Sequence, residues 1–122
     1  SQVLRLAKKL TSNHKKFIAE VIGTFIVVVF ATLAKLGGVL GVPFIAFAPF
    51  VGVAIGVYLF GKISMAHFNP AVTVCYFITQ HITSRQLLNY FAAEIIGALL
   101  GSVFVKYVIG KVQMRLTIIF LY

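Results

Sequence analysis

The 122 residues carry eleven lysines and arginines against two acidic residues, a net charge of +9, yet only 11% of the chain is charged and 61% is hydrophobic. A soluble domain needs roughly a quarter charged residues to cover its surface, so the composition, with a mean hydropathy of +1.04, excludes an ordinary soluble fold and predicts an all-α membrane protein. A nucleic-acid binder gathers its basic residues on one face of a polar domain; here they punctuate apolar runs, and the anionic partner they point to is a lipid bilayer.

In chain order, residues 1–16 hold five of the basic residues, Arg5, Lys8, Lys9, Lys15 and Lys16. Val3, Leu4, Leu6, Ala7 and Leu10 fall near helical spacing between them, which suits an amphipathic segment at the membrane interface; a transit remnant or a flexible basic tail fits the same residues. Residues 1–34 lack the small-residue cleavage site expected of a secretory signal, and their apolar run is long enough to span. A first span follows at about 17–34, long enough for most of a roughly 30 Å hydrocarbon core, and Gly37-Gly38 predict a turn. The second span, about 39–61, contains Pro43 and Pro49, tolerable in a membrane helix where neighbours re-satisfy the freed carbonyls. A third, about 87–109, has Ser84 as its expected N-cap and Gly97 and Gly101 in a GxxxG pattern that lets two helix backbones approach closely. Residues 111–122 form a divergent tail too short to span again. With the N-terminus inside, the cytoplasmic (or matrix or stromal) side collects seven basic residues against three or four outside, so the N-terminus is expected to be cytoplasmic.

Between the second and third spans, residues 63–83 are too apolar for a cytosolic loop and too interrupted for a crossing, so the segment reads as re-entrant. Asn69 is an N-cap type and Pro70 suits the first helical position, which predicts a half-helix running to about Gln80. Its length, about 16 Å, places its start near the midplane. There the free amide donors and the partial positive charge of a helix start repel cations and offer hydrogen bonds to a neutral solute. The stretch Met65-Ala66-His67 before it leaves carbonyls that, at membrane depth, must be buried in protein or line a wet cavity. A single-file path with Asn69 as a fixed donor is one reading; an Asn-Pro turn ahead of a buried helix is the other.

Ala19-Glu20-Val21-Ile22-Gly23-Thr24-Phe25 resembles the AExxGTF of the first helix of the aquaporin and aquaglyceroporin family. Gly61-Lys62-Ile63-Ser64-Met65-Ala66-His67-Phe68-Asn69-Pro70-Ala71-Val72-Thr73 resembles that family's GHISGAHxNPAVT loop. The resemblance covers about residues 16–110 and implies one repeat: three transmembrane helices plus one re-entrant half-helix. It further implies that Asn69 donates to the permeating molecule and that Pro70 and Ala71 set the half-helix start. By the same resemblance the carbonyls of Met65, Ala66 and His67 line the path, and Glu20 and His67 brace the loop from behind. Gly23 joins Gly97 and Gly101 as helix-packing positions. Glu20 and Glu94 are the two acids, and a carboxylate in lipid costs about 3 kcal/mol on insertion scales, so each needs a partner or a purpose. Glu94 departs from the family's usual Gln, which leaves a proton or cation role open; Met65 replaces a usual Gly, Lys62 a usual His, and Pro49 stands at an outer-filter position.

Members of that family hold two inverted repeats, and these residues match only the first. The implied function is half of a channel for water or a small neutral solute such as glycerol, completed by a partner membrane chain or by the missing second repeat. A non-conducting structural subunit is the alternative. Pairing of two antiparallel copies is disfavoured by the strongly basic tail, since dual topology needs a weak charge bias. No cofactor is expected. His14, His67 and His81 make no metal spacing, and no nucleophile-base pair is visible to support an enzyme. The single cysteine, Cys75, reads as a small apolar filler.

Overall fold

A computed structural model describes residues 1–40 and 47–121, and every regular element in them is helical. The order is α1 (Gln2–Leu40), α2 (Ala48–Ser64), α3 (Pro70–Ile78) and α4 (Ser84–Phe104), then a π-helical turn (Val105–Ile109) and α5 (Gly110–Leu121). Helix α1 lies at the centre, packed against both α2 and α4, while α3 packs on α4. The chain is an all-α membrane protein. The stretches 2–35 and 84–119 are each long and apolar enough to cross a bilayer, and α2 is a shorter apolar helix of 17 residues.

Burial runs opposite to that of a soluble protein. The side chains removed from solvent include Glu20, Thr24, Ser64, His67, Thr73 and Glu94, whereas Ile95, Leu99, Leu100 and Val103 stand out on α4. Water rewards burying apolar surface; lipid does not, and polar groups must then find one another inside.

Several element ends differ from those the sequence suggests. Helix α1 runs unbroken for 39 residues, through the basic segment, the apolar run and Gly37-Gly38 to Leu40. Glycine weakens a helix by about 1 kcal/mol relative to alanine, but in lipid a broken turn would strand backbone groups with no water to receive them. Pro49 sits in the first turn of α2 and not in a helix interior, so its missing N–H breaks no bond; Pro43 lies outside the described residues. The half-helix α3 stops at Ile78 because Gln80 adopts a left-handed φ of 65°. The cap of α4 is Thr83, one residue before the expected Ser84. Thr83 Oγ1 accepts from Gln86 N–H at 3.2 Å and Gln86 Oε1 accepts from Thr83 N–H at 3.0 Å, a reciprocal capping box. Beyond Phe104 the helix widens through the π turn and continues to Leu121, so residues 111–121 prolong the course of α4.

Glycines set the helix contacts. A Cβ on Gly97 would collide with the backbone oxygen of Val21 and lie 2.9 Å from Thr24 Cβ; one on Gly101 would lie 3.1 Å from Val28 Cβ. The four-residue spacing on α4 thus meets two successive turns of α1. The helices touch along backbone, and Phe25 closes the far end on Phe104 with ring centroids 5.4 Å apart.

Candidate functional site

Helix α2 ends when Met65 turns left-handed, with φ 67°, and donates its N–H to Gly61 O at 3.0 Å. Ala66 at 52° and Phe68 at 54° are left-handed too. Such conformations cost non-glycine residues about 1–3 kcal/mol each and persist only where the surroundings hold them. Here they are held by the polar side chains behind the loop.

Glu20, fully buried on α1, accepts from Phe68 N–H at 2.8 Å with Oε1 and from the Ser64 hydroxyl at 2.7 Å with Oε2. Ser64 Oγ in turn receives Ala66 N–H at 3.2 Å, and Tyr90 of α4 donates its hydroxyl to Ser64 O at 2.6 Å. The loop is therefore tied at 64, 66 and 68 from two helices. Phe68 anchors it by shape: Gly23 of α1 leaves no room for a Cβ beside the ring, and a Cβ on Gly56 of α2 would lie 2.6 Å from it.

The half-helix is tied in the same way. Thr73, fully buried, donates to Glu94 Oε2 at 2.8 Å and lies 3.0 Å from His67 Nδ1. Its hydroxyl has one proton, and the shorter contact is to Glu94 against 3.2 Å to Asn69 O, so His67 Nδ1–H is the donor to Thr73. The imidazole is clasped between the rings of Tyr90 and Tyr76, at centroid distances of 4.0 and 4.2 Å. His67 Nε2 and Glu94 Oε1 are buried without a partner among the described residues.

Glu20, His67 and Glu94 each present one ligand atom, all within 4.8 Å of one another. A tetrahedral metal with bonds of about 2.0–2.2 Å needs donors roughly 3.4 Å apart, and Glu20 and Glu94 already accept from Ser64, Phe68 and Thr73. The cluster is arranged to hold the loop.

The opposite side of the segment is bare. Asn69 caps α3 by accepting from Ala71 N–H at 2.8 Å with Oδ1, which leaves its amide NH2 without a partner among the described residues. Asn69, Pro70 and Ala71 are exposed, as is Met65. The carbonyls of Met65, Ala66 and His67 accept no hydrogen bond among the described residues.

A helix pair crossing on glycines, a loop braced by a buried acid and a half-helix opened by Asn-Pro occur together in one short chain. The family model described as major intrinsic protein matches residues 7–120. The chain belongs to the major intrinsic protein family. It is 36% identical over 109 residues to glycerol uptake facilitator protein-like 6 of Lactiplantibacillus plantarum, covering 86% of this chain and 49% of that protein. To the probable aquaporin AqpM of Archaeoglobus fulgidus it is 34% identical over 110 residues, covering 72% and 45%. To aquaporin NIP1-1 of Zea mays it is 37% identical over 94 residues, covering 72% and 33%. This major intrinsic protein chain thus spans about half the length, or less, of the curated relatives it matches. No solved structure matches it significantly.

The residues singled out in the sequence divide between the two sides. Met65, Asn69, Pro70 and Ala71 stand on the open side, with Ala66 half-buried between. Glu20, Glu94 and the His67 ring stand behind, with Gly23, Gly97 and Gly101 at helix contacts. Sequence reasoning passed over Ser64, Phe68, Thr73, Tyr76 and Tyr90. Two of them carry a legible signal: Thr73 lies four residues after Asn69, and Tyr90 four before Glu94, which places each pair on one helix face.

Proposed function

We propose that this chain forms one wall of a channel for water or small neutral solutes such as glycerol, and that a complementary second repeat, on another chain or further sequence, must face it to enclose the path. The observation that carries this reading is the exposure of Met65, Asn69, Pro70 and Ala71 on one stretch of the chain. Carbonyls at Met65, Ala66 and His67 and the Asn69 amide, unpartnered among the described residues, stand beside an exposed half-helix start. A solute entering such a path sheds water and needs both acceptors and donors; the carbonyls supply the first and Asn69 the second. The α3 N-terminus carries partial positive charge, which disfavours cations there. Glu94 points away from this face into the Thr73 contact, so its role in the proposal is to brace the half-helix, alongside Glu20 and His67 behind the loop. The relatives named for glycerol uptake and as aquaporins, of which the chain spans about half, support both the solute class and the need for a second repeat. The basic residues of the N-terminal segment, with Lys62 and Arg85, support a cytoplasmic placement for that end of the bundle.

The test is osmotic water and glycerol flux through proteoliposomes, with the chain alone and with a complementary repeat co-reconstituted. Flux above empty vesicles that falls at least several-fold on Asn69→Asp is the expected result. Flux indifferent to that substitution removes the pore assignment, and no flux under either condition assigns the chain to a non-conducting accessory subunit.

A further inference from the structure

The N-terminal part of α1 and the last turn of α2 line a surface groove of about 500 Å³, within the range of small-ligand sites. One wall is the helical stripe Leu4, Lys8, Thr11 and Lys15; the other is Lys62 and Ile63. The three lysines are exposed, and no ion pair engages them among the described residues. The chain has only two acidic residues, Glu20 and Glu94, both buried at the loop. Three ammonium groups thus line one groove with no counter-charge from the protein. The uninterrupted course of α1 is what brings Lys8 and Lys15 alongside Lys62.

The position of the groove fits an amphiphile. Lys15 and Lys62 stand where the apolar runs of α1 and α2 end, and Lys8 lies about 10 Å further along α1 by helical rise. That reach crosses a headgroup layer of roughly 5–8 Å per leaflet and brings Lys8 to its outer edge. Leu4 and Ile63, both well exposed, keep the groove from being purely polar, and Thr11 offers a hydroxyl between the lysines.

We propose that this groove is a binding site for the phosphate headgroup of an anionic phospholipid, held by Lys8, Lys15 and Lys62. The lipid is the source of the phosphate because the groove lies at the border of the apolar runs, where a headgroup arrives with its acyl chains already in the bilayer. No residue of α4 lines the groove, and the proposal does not depend on whether the chain conducts.

The experiment titrates short-chain phosphatidylglycerol and short-chain phosphatidylcholine into the detergent-solubilised full chain and compares the two affinities. A lysine near an anionic surface contributes about a fivefold preference. The preference for the anionic lipid should therefore fall at least tenfold when Lys8, Lys15 and Lys62 are all changed to Gln. It should fall less than threefold when Arg5, Lys9 and Arg85, which carry the same charge outside the groove, are changed instead. Replacement of the three groove lysines by Arg should retain the preference, which shows that the Gln variant lost charge and not its fold. Equal losses in both sets, or no loss in the groove set, overturn the proposal in favour of diffuse attraction or none. Full displacement of the lipid by millimolar inorganic phosphate overturns the lipid assignment and leaves a free-phosphate site.

Discussion

The two sides of residues 64–73 are opposites. Behind the segment, Glu20, Ser64, His67, Thr73, Tyr90 and Glu94 bond to one another and to the backbone of the loop, with His67 Nε2 and Glu94 Oε1 left over among the described residues. In front, Met65, Asn69, Pro70 and Ala71 stand exposed, and the Met65 carbonyl and the Asn69 amide NH2 have no partner among the described residues. A backbone can leave donors and acceptors free on one face only if the other face fixes it, since three left-handed residues out of four in 65–68 would otherwise relax. Rigidity behind is the condition for availability in front.

That contrast can be broken from behind most severely. Glu20→Ala leaves the Ser64 hydroxyl and the Phe68 N–H without an acceptor in a buried site, a loss of about 3–5 kcal/mol. The chain should lose its cooperative thermal transition in detergent, while Glu20→Gln, which keeps an acceptor, should lose less. Gly97→Val drives a side chain into Val21 O and Thr24 and separates α1 from α4 at a cost of about 1–3 kcal/mol. Loss of thermal stability by that amount checks it, and unchanged stability would mean that the helices do not cross on their backbones. From the front, Asn69→Ala removes only the cap on Ala71 N–H, about 1 kcal/mol, so it should leave the fold intact while altering any flux. Smallest, and of opposite sign, Met65→Gly relieves a left-handed residue and should stabilise the chain by roughly 0.5–1 kcal/mol. A destabilised Met65→Gly variant would show that the Met65 side chain packs in the membrane more than its backbone resists.

Much of the outline was legible before any coordinates. Asn69 and Pro70 announce a helix start by chemistry alone, because one supplies the capping oxygen and the other lacks the N–H that position would waste. Gly97 and Gly101 announce a close helix contact because nothing but a missing Cβ lets backbones meet. Thr83 and Gln86 also spell a capping box, and reading Ser84 as the cap overlooked that the reciprocal bond needs the Thr-x-x-Gln spacing. The turn at Gly37-Gly38 failed for a different reason: glycine permits a turn but does not impose one, and lipid penalises the broken hydrogen bonds.

By itself the sequence determined the solvent of this protein, the helical class, the half-helix start and the motif that joins it to the major intrinsic protein family, since composition, caps and glycine spacing act over a few residues. Only the tertiary structure decided which groups answer the two buried acids. Glu20 reaches a loop 44 and 48 residues away and Glu94 reaches Thr73 across 21, and no local rule pairs residues so far apart. The same holds for the groove of Lys8, Lys15 and Lys62, which exists because α1 continues as one helix past the end of α2.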